Sequence, residues 1–408
     1  MERFFRKKFI FAALFLVLLL GFCVLNGISE APVLGDLAQD LLQVRSLEEL
    51  EEWISDVEDD VSDEILGHRF WIETYSWIQE ALGKREFDSF SVIKDETGML
   101  YYGSTYQAST DDLETYAAQT LRLKEMLDRK GIRLMVVLPP SKVLYGVTEV
   151  DLDWPINDPN ARMDKLLMQL QQRGVTAVDL RPVMQHSGQP LEKLFFKTDH
   201  HWTPRAAFYG MREIVGRLEQ EFGIVLDPDG YYRDLSNYEI QDMGKIMLGS
   251  NGRNVGIPYS GLDNFEYIWL REYEGTEYSW IDYEDEEEQT GNLKQTLLRE
   301  KWLQVEDFYK MDPYWVYLDS LKKMDSVVNH SNPDGLQIAV LRDSYFSPVA
   351  CFLAPMVGRM DMFWNQDRDA VSSFMESVEQ GDYDLVIVEI YPYNLGASAF
   401  AFFEEAAS

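Results

Sequence analysis

The chain has 408 residues, of which 46% are hydrophobic and 13% aromatic, which supports a substantial core and excludes global disorder. Its 37 Lys and Arg stand against 70 Asp and Glu, a formal net charge of −33. Such a surface repels phosphate backbones and anionic bilayers, so no nucleic acid partner is expected and a neutral or cationic substrate suits it better; the same charge also serves plain solubility. The only two cysteines are Cys23 and Cys351, and Cys23 lies in an apolar segment, so no intrachain disulfide is expected.

Arg3, Arg6, Lys7 and Lys8 precede an uncharged apolar run from Phe9 to Leu25. Its length of about 17 residues is short for a spanning helix and long for a signal-peptide core. The basic cluster should stay in the cytoplasm, which directs the rest of the chain outside. Phe22 stands where a lipoprotein signal needs a small residue before Cys23, and no small-x-small cleavage site follows. An uncleaved anchor is therefore favoured over a cleaved signal. The expected organisation is a cytoplasmic tip and single transmembrane anchor over 1–28, an exterior stalk or helical segment over 29–86, and the main domain over 87–408.

Leu47, Leu50, Trp53, Ile54 and Val57 recur at helical spacing within the acidic stretch 30–66. Phe70, Trp71, Tyr75, Trp77, Ile78 and Leu82 predict a second amphipathic helix ending at Gly83. Ser91 to Gly103 reads as a hairpin turning at Thr97-Gly98. A helix capped by Asp111 runs to Arg129 and stops at Gly131. The nearly continuous apolar run 132–138 then predicts a buried parallel strand. A helix over 159–173 and a strand over 176–180 follow. The alternation returns in a strand over 337–341, a helix beginning at Ser344, and a strand over 384–390. Together these predict an α/β domain with helices on both faces of a parallel central sheet, whose sites lie at the carboxyl ends of strands, where Ser344 and Glu389 fall. The alternation lapses over about 228–335, which reads as an insertion or cap with an exposed acidic loop at Asp282 to Glu288.

Five histidines occur, and two are adjacent in Thr198-Asp199-His200-His201-Trp202-Thr203. In Asp199-x-His201 a carboxylate can take the imidazole Nδ1–H, fix its tautomer and leave Nε2 free as a base. Ser344, between a strand and a helix, is the candidate nucleophile, with backbone N–H groups at the helix start available to an oxyanion. Three other readings remain open. Ser344 can be a helix cap. The histidines can be satisfied core residues. Asp199, His200 and His201 can be metal ligands.

The block Thr198 to Thr203, followed by Pro204 and Ala206-Ala207, resembles the DHHW protein family of Gram-positive bacteria, which is similar to the alginate O-acetylation proteins of the AlgX/AlgJ type within the SGNH hydrolase-like group. The likeness runs from about Phe87 to Asn394 and includes Ile93 to Tyr102, Gly249 to Arg253, Leu341 to Tyr345 and Val388 to Tyr391. It implies an SGNH hydrolase-like three-layer α/β/α fold and a triad of Ser344, His201 and Asp199. It also implies serine-dependent acetyl transfer to, or ester hydrolysis on, a cell-surface or exported polysaccharide, with no cofactor and no metal. The expected partners are that glycan and a polytopic membrane O-acyltransferase. Arg342 stands where many SGNH proteins carry glycine before Asp-Ser. Asn251, Arg253, Arg342 and Tyr345 are candidates for oxyanion or substrate contacts, and Tyr259, Phe265 and Trp364 for stacking on sugars. The competing class is a non-catalytic glycan-binding or scaffold protein of a polysaccharide modification complex.

Overall fold

Successive side chains of a strand point to opposite faces, so a continuous apolar run is stable only where both faces are covered. The computed structural model, which describes residues 15–17, 19–26, 41, 53, 67–103, 113–148, 154–271 and 275–403, places the predicted runs in that setting. In chain order the strands are β1 (Glu86–Phe87), β2 (Val92–Lys94), β3 (Leu100–Tyr102), β4 (Arg133–Leu138), β5 (Thr176–Asp179), β6 (Tyr238–Met247), β7 (Asp263–Leu270), β8 (Tyr278–Asp282), β9 (Glu287–Gly291), β10 (Met324–Asn329), β11 (Gln337–Arg342), β12 (Arg359–Trp364) and β13 (Leu385–Glu389). The first three form a small antiparallel sheet, and β6 and β7 form a separate antiparallel ribbon.

The other eight form the central sheet in the order β5-β4-β13-β11-β12-β10-β8-β9. From β5 to β12 neighbours are parallel. Beyond β12 they are antiparallel, so the sheet is mixed rather than wholly parallel. The three antiparallel strands come from the segment read as an insertion or cap, which extends the sheet. In Tyr278-Ser279-Trp280-Ile281-Asp282 the buried Ser279 and Asp282 interrupt the apolar residues, so the strand hides from a search for apolar runs. Of the acidic stretch Asp282 to Glu288, residues 283–288 are exposed, whereas Asp282 is buried at the end of β8.

Alternation divides the core. Met135 and Val137 of β4, Ile338 and Val340 of β11, and Leu385 and Ile387 of β13 pack on one face with the helices Pro204–Phe222 and Phe346–Leu353. Leu134, Val136, Leu138, Ala339, Leu341, Val386 and Val388 face the opposite layer, made by the helices Leu113–Lys130, Asn160–Gln172 and Arg368–Gln380. This is a three-layer α/β/α arrangement. Tyr259 packs against Phe87 and Leu100, and Phe265 stacks on Phe196 with ring centroids 5.8 Å apart. Both are core residues, which corrects their assignment to sugar stacking.

The chain divides after Leu82 into two units. In the first, His68–Ala81 is helical, and residues 15–17 and 19–26 are helical. Among the described residues no helix is long and apolar enough to cross a membrane. The start of the expected anchor, most of the stalk and the Asp111 cap lie outside the described residues.

Arg342 ends β11 with its guanidinium fully buried, 2.6 Å from Asp325 Oδ1 of β10 and 3.2 Å from Ser347 Oγ. Trp280 Nε1 donates to the other Asp325 oxygen at 3.0 Å. Removing one partner of a buried pair strands the other charge. Arg342→Met is expected to lower unfolding stability by about 3 kcal/mol in chemical denaturation, and Arg342→Met with Asp325→Leu to recover much of it. A single variant as stable as the wild type contradicts this role for the pair.

Candidate active site

The carboxyl ends of parallel strands leave loops at one edge of the sheet, where sites form. From Ile338 to Gly358 every residue is buried except Ser344. It occupies the turn after β11, two residues before the helix Phe346–Leu353, rather than the helix start itself. That helix has no side-chain cap, so capping is not the work of the Ser344 hydroxyl. Asp343 pins the turn. Its carboxylate accepts from Tyr345 N at 3.1 Å, Tyr391 N at 2.7 Å and Asn394 Nδ2 at 3.1 Å, and its own N–H donates to Glu389 Oε2 at 3.0 Å. Burial pushes the Asp343 carboxyl up, and burial together with the nearby Asp343 charge pushes Glu389 well up.

The second part comes from the loop between Phe195 and Trp202, which face each other as an isolated antiparallel bridge. Within it Asp199 folds back on its own chain. Asp199 Oδ1 accepts from His201 N at 2.8 Å and lies 2.6 Å from His201 Nδ1, and Oδ2 accepts from Ser250 N at 2.6 Å. His201 Nε2 lies 2.7 Å from Ser344 Oγ. The structure thus brings Asp199, His201 and Ser344 into one hydrogen-bonded line.

Two further bonds tie the loop to the serine turn. Trp202 Nε1 donates to Tyr345 O at 3.1 Å, and Tyr345 Oη donates to His200 O. The His201 ring is held between Tyr314, stacked at 4.2 Å, and His200 at 3.9 Å.

Electrostatics follow from burial and partners. Burial opposes charge on Asp199, but His200, His201 and the hydrogen bonds from His201 hold its carboxyl well below the usual range. Burial, then repulsion by His201, pushes His200 down to about 3, so it is neutral near pH 7, with Nδ1 2.9 Å from Ser250 Oγ. With His200 neutral, the hydrogen bonds from His201 N and Nδ1 still meet the Asp199 charge, and Ser250 N adds a third.

The segment Gly249 to Arg253 is built for close approach and is not a loose loop. A Cβ on Gly249 would lie 2.1 Å from Asp199 Cβ and 2.2 Å from Asp199 Oδ2. A Cβ on Gly252 would lie 2.8 Å from Thr198 Cβ. The bare backbone lets Gly249 N reach Thr198 Oγ1 at 2.9 Å and Gly252 N reach Thr198 O at 2.7 Å.

The other predicted residues separate. Asn251 is buried, and its Nδ2 has no partner among the described residues. Arg253 is bound to Asp312 Oδ2 at 3.0 Å and to Leu248 O at 3.1 Å. Arg342 and Tyr345 are fully buried, the first in its ion pair and the second stacked on Tyr391 at 4.3 Å, so neither presents surface to a substrate. Both assignments are corrected by packing. Asp199, His200 and His201 offer ligand atoms within 4.8 Å of one another, but both His201 nitrogens are engaged, with Asp199 and Ser344. Ser250 and Tyr314 were not singled out from sequence. Ser250 lies in the recognised glycine-bearing block, whereas nothing local marks Tyr314.

The α/β fold is SGNH hydrolase-like. Residues 92–245 match the family model "SGNH hydrolase-like domain, acetyltransferase AlgX", a span that holds Asp199 and His201 while Ser344 lies beyond it. The structure of Bacillus cereus PatB1 is similar with a TM-score of 0.60 at 15% identity, covering 76% of this chain and 99% of that one. A DHHW family protein from Eubacterium siraeum is similar with a TM-score of 0.53 at 14% identity, covering 78% and 95%. Comparison with curated proteins gave no match. The resemblance drawn from the Asp-His-His-Trp block, to DHHW and AlgX-type SGNH hydrolase-like proteins, is thereby shown.

Asp199 is more acidic folded than unfolded, so it adds stability above the unfolded carboxylate value of about 3.9, and that stability is lost as pH falls below it. The unfolding free-energy gap between wild type and Asp199→Asn is expected to be wider at about pH 6 than at about pH 3. A gap independent of pH contradicts the charged, hydrogen-bonded state of Asp199.

Proposed function

We propose that the protein is an extracytoplasmic serine O-acyltransferase that moves acetyl groups onto a cell-surface or exported polysaccharide. The observation that carries this reading is the 2.7 Å contact between His201 Nε2 and Ser344 Oγ, with Asp199 at 2.6 Å behind the ring. In this reading Ser344 Oγ attacks the acetyl carbonyl while His201 Nε2 takes its proton, and Asp199 stabilises the imidazolium. The Ser344 N–H, placed in the turn before a helix, meets the oxyanion. The intermediate collapses as the C–O bond to the donor breaks, and His201 returns the proton to the leaving oxygen. A sugar hydroxyl then loses its proton to His201 and attacks acetyl-Ser344; the acyl C–Oγ bond breaks, His201 gives the proton to Ser344 Oγ, and the acetylated sugar leaves. Water in place of the sugar makes the same site an esterase.

The half-buried Tyr102 and Tyr393 rings lie 5.2 Å apart, with Tyr102 6.3 Å from His200, and give the acceptor a face to stack on. Residues 9–25 anchor the chain with its bulk outside the cell, beside a polytopic membrane acyltransferase that supplies acetyl groups. The matching family model names an acetyltransferase, which supports transfer as the reaction.

With the full chain and a chromogenic acetyl ester, Ser344→Ala is expected to reduce acetate release by about 1,000-fold or more without loss of folding. Equal rates in the two proteins remove the enzymatic reading.

A further inference from the structure

Lys142 takes no part in the steps above, yet it is 5% exposed and its ammonium lies within the electrostatic reach of Asp199. It follows β4 in Pro139-Pro140-Ser141-Lys142, where the chain leaves the sheet at the site's edge. Its Nζ donates to Phe196 O at 3.1 Å and Lys197 O at 3.2 Å. The amides of the same stretch turn to a carboxylate. Lys197 N donates to Asp263 Oδ1 at 2.9 Å, and Thr198 N and Thr198 Oγ1 both donate to Asp263 Oδ2 at 2.7 Å. A buried cation thus holds the carbonyls, and a buried anion the amides, of the residues leading into Asp199.

The groups facing this ammonium are known from each element around it. They are Asp95 of the β2–β3 turn, the Tyr101 ring of β3 at 5.8 Å, Asp199 and His200 of the histidine loop, and Asp263 at the start of β7. The Lys197 ammonium turns away to Thr97 O at 2.8 Å. Three carboxylates thus act electrostatically on one buried cation, one of them the Asp199 that orients His201.

We propose that Lys142 is a positioning residue that sets the alkaline limit of activity, because its ammonium fixes the stretch leading into Asp199 and supports the Asp199 charge until its proton is lost. The proposal rests on the Ser344 acyl-transfer reading. Burial lowers Lys142 to about 8, with Asp199, Asp263 and Asp95 offsetting only part of the effect. A neutral amine still donates, but hydrogen bonds from charged donors are about twice as strong. The effect on stability has the opposite sign. The folded value lies below the unfolded lysine value of about 10.4, so between the two this group makes the fold more stable as pH rises. Activity is therefore lost where global unfolding is not favoured by this lysine.

The test uses the full chain and a chromogenic acetyl ester, with kcat read from about pH 6 to pH 9.5 and thermal unfolding followed in parallel. Wild-type kcat is expected to fall around pH 8, with no matching fall in Tm. Lys142→Arg, which keeps its charge, should retain turnover and move the fall beyond the range. Lys142→Met should lower kcat by about 10-fold or more at neutral pH and abolish the fall. A wild-type fall that is absent, or that coincides with unfolding, overturns the proposal, and so does a fall at unchanged pH in either variant. Should Lys142→Met not fold, the wild type and Lys142→Arg decide. A Ser344→Ala arm separates the two readings. Wild-type turnover without the hydroxyl defeats acyl transfer through Ser344, whereas an inactive Ser344→Ala beside an unchanged Lys142→Arg profile defeats the Lys142 proposal alone.

Discussion

A carboxylate buried to 1% exposure must have its charge met by donors, and meeting that requirement at Asp199 organises the whole site. Two donors come from His201, which turns the imidazole toward Ser344 and directs the remaining nitrogen to the hydroxyl. The third is Ser250 N, which brings a distant backbone so close that position 249 has no room for a side chain. The carboxylate is thus the meeting point of two segments and, through the imidazole, of a third.

The sheet supplies the rigidity this geometry needs. β11 delivers the serine turn from the middle of the core, and the turn is pinned by Asp343 to the end of β13. The histidine loop attaches to that turn through Trp202 and Tyr345 as well as through the putting together of His201 and Ser344. These neutral hydrogen bonds, each worth about 1 kcal/mol net, act together to fix distance rather than to supply stability. Immobilised partners are what let a weakly acidic hydroxyl serve as a nucleophile.

Much of the fold was legible because its strands are apolar runs. The stretches 132–138, 337–341 and 384–390 became β4, β11 and β13, each within a residue or so at its ends. β12 escaped because Arg359 and Asp361 interrupt its pattern, and the structure accommodates Asp361 with Ser326, Arg359 and Tyr383. β8 and β10 escaped for the same kind of reason, with Asp282 and Asp325 in buried strand positions. The site divides in the same way. Asp199, His201 and Ser344 were legible because Asp-x-His and a serine after a strand have recognisable chemistry. Arg342 and Tyr345 misled because proximity in sequence to Ser344 does not reveal which way alternate residues point. Tyr314 and Lys142 were silent because their roles exist only across the folded chain.

The most direct test of the account is to find the acyl group on the chain. The full protein would be exposed briefly to an activated acetyl ester, quenched in acid, digested and mapped by mass spectrometry. The account predicts a transient acetyl group on Ser344, lost when His201 is free to activate an acceptor and retained longer when acceptors are withheld. Turnover with no acetyl on Ser344 at any time, or with the acetyl on another side chain, would contradict it.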